Sequence, residues 1–141
     1  MLSSLHEYSR FVYTIRDRFP SVRTCDLVLI PMGPTVGTLR GVLGFDNAVT
    51  LRVLEQIDFD AQTIEYYSYT VSQRGERRYW YDPQPHPDDP SLASTFPHHK
   101  HIQPNIKHHR VPAPGIRFDK PNLSLLIEEI HKDFSQLPTP E

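Results

Sequence analysis

Nine of the chain's fourteen prolines fall between Pro83 and Pro121, within a length of 141 residues. Proline fixes φ and removes a backbone donor, so this stretch is closed to helices and to central strands. Regular structure is therefore expected before it and after it. The same stretch carries Phe96, Ile102, Ile106, Val111, Ile116 and Phe118, spaced singly. That spacing predicts a long, ordered, extended loop pinned by apolar anchors. Structured loops of this length in compact domains usually carry function.

The flanks show clear periodicity. Ser4 and Glu7 have capping-box spacing ahead of Leu5, Tyr8, Val12, Ile15 and Phe19. Those apolar residues recur at three and four, which predicts an amphipathic helix of about four turns ended by Pro20. Five strands are then expected over 22–30, 38–45, 48–59, 63–72 and 76–82, separated by turn sequences such as Asp46-Asn47 and Arg74-Gly75. In the third, Val49, Leu51, Val53, Glu55 and Ile57 share one face. In the fourth, Ile64, Tyr66, Ser68 and Thr70 are expected opposite Tyr67, Tyr69 and Val71. After the proline-rich stretch, Asp119 or Asn122 can cap a last helix whose stripe is Leu123, Leu126, Ile127, Ile130 and Phe134. Residues 136–141 read as a frayed polar tail. The predicted fold is one α+β domain over 1–141. It has a five-stranded antiparallel meander, N- and C-terminal helices on one sheet face, and a long proline/histidine-rich loop.

Composition removes several function classes. A net charge of −2 gives no global field for duplex DNA or a membrane surface, so any polyanion site must be local. The single Cys25 excludes an internal disulfide framework and a four-cysteine zinc site. No apolar run reaches the roughly 20 residues that span a bilayer, and the N-terminus lacks a signal-peptide pattern. A cytoplasmic protein is expected. Phosphate-binding glycine loops, dinucleotide fingerprints and nucleophile elbows are not found.

The chemistry concentrates in the proline-rich stretch. Five of eight histidines lie between His98 and Arg110, with Lys100, Lys107 and Arg110 and no acidic residue. Imidazoles gain and lose protons near neutrality. Two histidines and a cation suffice for metal-free RNA cleavage: a base takes the 2′-hydroxyl proton, an acid protonates the leaving oxygen, and a cation steadies the phosphorane. The strands that feed the loop alternate Tyr67, Tyr69, Tyr79, Trp80 and Tyr81 with Arg77 and Arg78, as a stacking platform for single-stranded nucleic acid would. Zinc or manganese held by His98, His99, His101 and Asp82 is the rival chemistry, although no metalloprotease-type helix motif supports it. A solvated basic loop, or a non-enzymatic nucleotide- or protein-binding module, remains open beside both.

Tyr66-Tyr67-Ser68-Tyr69, the run from Arg78 to Pro87, Thr95-Phe96-Pro97-His98-His99-Lys100-His101 and Pro121-Asn122-Leu123 together resemble the TumE family of toxin–antitoxin proteins, over about positions 50–132. The resemblance implies a small toxin restrained by a cognate antitoxin and directed at RNA. Relatives of this kind also include ring nucleases, which cut cyclic oligoadenylate. On that reading His99 and His101 are the acid–base candidates, with Asp82 orienting one of them and His98 or His86 able to replace either. Lys100 and Arg78 are expected to contact phosphate, and Trp80, Tyr69 and Tyr81 to stack or orient the substrate. No cofactor or metal is expected, and the assembly is expected to be a homodimer.

Overall fold

The computed structural model describes residues 1–135, so the expected tail lies outside the described residues. Ser4 caps the first helix, α1 (Leu5–Tyr13), its hydroxyl accepting from the Glu7 N–H at 3.0 Å. The reciprocal half of the box is missing because the Glu7 carboxylate takes the Ser3 hydroxyl instead. The single helix expected as far as Phe19 is interrupted at Thr14, where φ is −116° and the hydroxyl donates to the Arg10 carbonyl. Such back-bonding onto the preceding turn bends helices. A short α2 (Ile15–Arg18) follows. Tyr8, Phe11, Val12 and Ile15 are buried, as the apolar spacing requires.

Eight strands form one antiparallel sheet: β1 (Thr24–Cys25), β2 (Val28–Pro31), β3 (Val36–Gly44), β4 (Val49–Asp58), β5 (Thr63–Gln73), β6 (Glu76–Asp82), β7 (His99–Ile102) and β8 (Arg110–Pro112). The order across the sheet is β1-β3-β4-β5-β6-β7-β8, with β2 also beside β3. The final helix is α3 (Leu123–Phe134). The meander expectation holds from β3 to β6 and continues beyond it.

The count of five strands does not hold, for two reasons. The expected strand over 22–30 is broken at Asp26, whose carboxylate accepts the Val42 N–H. Facing it, Gly41 has φ +144°, and a Cβ there would lie 2.8 Å from the Asp26 carbonyl oxygen, so this irregularity depends on glycine. The second reason lies in the proline-rich stretch, which is not simply a loop. Residues 98–103 and 105–111 are free of proline, and β7 and β8 form in those gaps. Pro112 ends β8 on the sheet edge, where a missing donor costs no ladder bond. A 3₁₀ turn over Pro90–Thr95 adds a further element, with Asp89 capping it through the Ser91 N–H.

The sheet has two unlike faces. One packs on α1 and α3 through Leu39, Leu43, Leu51, Val53, Ile57, Ile64, Tyr67, Tyr69, Val71, Tyr79 and Tyr81, all buried. Both helices meet at a polar knot in its centre. Glu55, fully buried, accepts from Tyr8 of α1 and from Tyr69, whose oxygen in turn accepts the Asn122 amide at 3.1 Å. Asn122 therefore spends its side chain on the core and on Arg117 rather than on capping α3. A β-bulge between Gln56 and Ile57 shifts the register of β5, so Ile64 and Tyr67 share the buried face and Tyr66 is exposed. The alternation expected for that strand holds from Tyr66 onward, and Ile64 lies on the face opposite to the one expected. Among the described residues, α1 and α3 both bury their apolar stripes in that one core and leave the other sheet face to the loop after β6.

Candidate active site

Pairing of β6 with β7 sets Trp80 opposite His101 and Asp82 opposite His99. Residues directly opposite share a face, so all four project from the side opposite α1 and α3, while Tyr81 and Lys100 project toward α3. Beyond β7, Arg110 of β8 lies opposite His101 and joins the same face.

The cluster is tight. Asp82 Oδ1 stands 3.0 Å from His99 Nε2, and Asp82 Oδ2 3.3 Å from His101 Nε2. The two Nε2 atoms are 3.1 Å apart. Each ring's other nitrogen faces a backbone carbonyl, His99 Nδ1 at 3.2 Å from Pro97 O and His101 Nδ1 at 2.9 Å from Ile106 O. A carbonyl can only accept, so both Nδ1 atoms donate. Asp82 is itself tethered: the Gln84 N–H donates to Oδ1 at 2.9 Å and the Trp80 indole to Oδ2 at 3.0 Å. Both histidines are buried, and the Asp82 side chain, 19% exposed, is the open side of the cluster.

The surroundings fix this arrangement. The Trp80 ring stacks on His101 with centroids 4.0 Å apart, and the Arg77 guanidinium lies over the Trp80 ring. His86, from the loop after β6, meets His99 edge-on at 5.0 Å. Arg110 Nε is buried without a hydrogen-bond partner, the one such side-chain atom among the described residues. Burial pushes the Asp82 carboxyl up, but the bonds from His99, the Gln84 N–H and the Trp80 indole outweigh it and hold the group well below the usual carboxylate range. Burial also lowers His101, more than the Ile106 carbonyl raises it, and so favours its neutral ring.

Of the residues singled out in the sequence, Asp82, His99, His101, Trp80 and His86 come together here. Arg78 is half-buried at the irregularity between β5 and β6 and forms no ion pair among the described residues. His98 lies on the helix face, where its Nδ1 is bonded to the Tyr67 hydroxyl and its ring packs on Phe118. Lys100 also faces the helices. It pairs with Glu129 at 3.3 Å and lies 4.1 Å from the Tyr79 ring centroid. Tyr69 is fully buried on Glu55, and Tyr81 donates to Glu129, so neither presents a ring to solvent. The reason is the period of two: alternate residues of a strand cannot all share one face. Arg110 was not among the expected site residues. Its place depends on the β7–β8 register, a pairing that no local pattern announces.

The sequence model of a protein family described as Toxin TumE matches residues 14–134. No curated protein and no solved structure matches the chain. No helix among the described residues is long and apolar enough to cross a membrane.

Proposed function

The chain belongs to the TumE toxin family, and on that premise we propose that it is the toxin of a toxin–antitoxin pair and cleaves RNA phosphodiesters at the Asp82–His99–His101 cluster. The observation that carries this reading is the position of the cluster on the sheet face opposite α1 and α3, studded with arginine. Successive registers run Val42, Arg52, Thr70, Trp80, His101 and Arg110 across six strands as one cross-strand row. Arg40 neighbours Arg52 one step off that row, and both are exposed. An open sheet that offers cations and an aromatic ring beside the reacting groups suits an extended single strand.

The reaction is attack of a ribose 2′-hydroxyl on its own phosphodiester, which leaves a 2′,3′-cyclic phosphate and a 5′-hydroxyl. In-line attack puts the entering and leaving oxygens on opposite sides of phosphorus. His99 and His101, with their Nε2 atoms in contact, address one of those oxygens together rather than one each, and the other oxygen exchanges its proton with solvent water. This differs from the divided acid–base pair expected from the sequence. Arg110, with its unpartnered Nε, is the cation for the phosphorane charge. Cyclic oligoadenylate carries the same reacting groups and is the second substrate to assay. The assembly is read as a homodimer, which light scattering at 16.4 kDa would reject.

The deciding experiment incubates the purified protein with single-stranded RNA and with its 2′-deoxy counterpart. Cleavage of the ribose strand alone is expected. Asp82→Asn and His99→Ala are expected to slow it at least about 100-fold, the usual contribution of a positioned acid or base. RNA that is bound but never cut would make the protein a binding module. Undiminished cleavage by both variants would move the reaction elsewhere.

A further inference from the structure

We infer that Asp82, His99 and His101 form a binding site for one divalent first-row transition-metal ion of the zinc class. The inference rests on the same cluster as the proposed cleavage and is read out separately; with an ion bound, both Nε2 atoms would be ligands, and the cluster would act on the substrate oxygen through the ion rather than by proton transfer.

Both Nδ1 atoms must donate to carbonyls, so each neutral ring turns a lone pair inward at Nε2. Asp82, ionised, is also acceptor-only. With both rings neutral, two imidazole nitrogens and the two Asp82 oxygens converge, at 3.0, 3.1 and 3.3 Å, with no donor between them; only a charged His99 ring donates to Asp82. A proton on His99 Nε2 serves Asp82 Oδ1 or His101 Nε2 and still leaves His101 Nε2 and Asp82 Oδ2, 3.3 Å apart, as two facing acceptors. A metal ion satisfies all three residues at once.

The distances suit an ion. Donor atoms about 2.0–2.1 Å from a common metal stand about 2.9–3.4 Å from one another in octahedral to tetrahedral geometry. The two Nε2 atoms, 3.1 Å apart, lie in that range, and each stands at such a distance from one of the two Asp82 oxygens, while one ligand atom from each of the three residues lies within 4.8 Å of the others. The supporting contacts are those a metal site needs. Each ligating imidazole is held by its far nitrogen on a carbonyl, and the carboxylate is held by the Trp80 indole and the Gln84 N–H. Two imidazoles and one carboxylate favour Zn²⁺, Mn²⁺ or Co²⁺ over Mg²⁺ and Ca²⁺, which prefer all-oxygen sites. Three protein ligands leave room for an exchangeable group on the exposed Asp82 side, where such an ion supplies Lewis-acid activation of an oxygen. His98 takes no part, since its ring is committed to Tyr67 on the other face. The ligand set is therefore narrower than the four residues considered from the sequence.

The test is titration of the chelator-stripped, full-length protein with Zn²⁺ by calorimetry and with Co²⁺ by visible absorption. One ion per chain is expected, with a Co²⁺ d–d band and a raised melting temperature. His99→Ala, His101→Ala and Asp82→Asn should each abolish all three signals. Trp80→Phe keeps the ring but removes the indole donor, and should weaken affinity about 10-fold or more, the usual cost of losing an outer-shell partner. His98→Ala and the double variant His108→Ala/His109→Ala should bind as the parent does. Uptake no greater than that of a folded His99→Ala/His101→Ala protein overturns the inference, as does uptake that follows His108 and His109. If RNA cleavage depends on the cluster but no ion binds, the metal site falls and the proposed function stands. If an ion binds and no RNA is cut, the reverse holds.

Discussion

Glu55 sits fully buried at the centre of the sheet, beneath both long helices. Its oxygens accept from Tyr8 and Tyr69, so α1 and β5 are joined through one carboxylate, and Asn122 extends the chain of bonds to the start of α3. Burial pushes the Glu55 carboxyl up from its ordinary value, and the bonds from Tyr69 and Tyr8 offset only part of that shift. A carboxyl that holds its proton more tightly in the fold than in the unfolded chain stabilises the fold fully below its unfolded pKa. It loses that contribution as pH rises through its folded value. Glu55→Gln has no such proton to lose, and its amide still spans the two tyrosines. Chemical denaturation between about pH 4 and about pH 8 should therefore show the parent losing ground to the variant as pH rises. Parallel stability curves would mean that Glu55 is equally acidic in both states. The position was legible in the sequence as one of five alternating residues on β4. Its role was not, because the two hydroxyls come from residues 47 and 14 positions away.

At the scale of elements, β7 divides its side chains between two tasks. His99 and His101 go to the face away from α3; Lys100 goes to α3, where it pairs with Glu129 and covers Tyr79 and Tyr81. Lys100→Ala is accordingly expected to leave the KM for RNA within about twofold and to lower stability. The ion pair, partly exposed, contributes about 0–1 kcal/mol, and the aromatic contact a similar amount. A variant with unchanged melting temperature and a much raised KM would return Lys100 to the substrate side. The elements flanking the proline-rich stretch were readable because each carries its own period. The strands β7 and β8 were not, being four and three residues long and largely polar. They exist through cross-strand pairing with β6 and with each other, which is long-range information. The same limit explains the site. The residue types Asp82, His99 and His101 were found, but which histidines share a face followed from register, and His98 was separated from His99 by a single step of the strand.

Across the whole molecule, the proposed function assigns stability to one sheet face and recognition to the other. The helix face holds the apolar core and the Glu55 knot. The other face holds the Asp82–His99–His101 cluster with Arg110, and farther across it Arg52 and Arg40. Arg52 lies three strands from His101, roughly 14 Å at the usual spacing between strands of about 4.8 Å. That is far enough to act on the substrate and not on the reacting atoms. Each phosphate contact to a single strand contributes about 0.7 to the slope of log affinity against log salt. Arg52→Ala and Arg40→Ala should therefore each weaken RNA binding most at low salt and flatten that slope by about 0.7. Both side chains are exposed, on strands β3 and β4 already anchored by their buried faces, so melting temperature should hold. Turnover of saturating RNA should also hold, because neither residue reaches the cluster. Salt titrations of binding, paired with single-turnover cleavage, measure both quantities on the same samples. An unchanged slope in the double variant would show that RNA does not cross this face. The strand would then have to approach the histidines from the β8 edge, past Arg110.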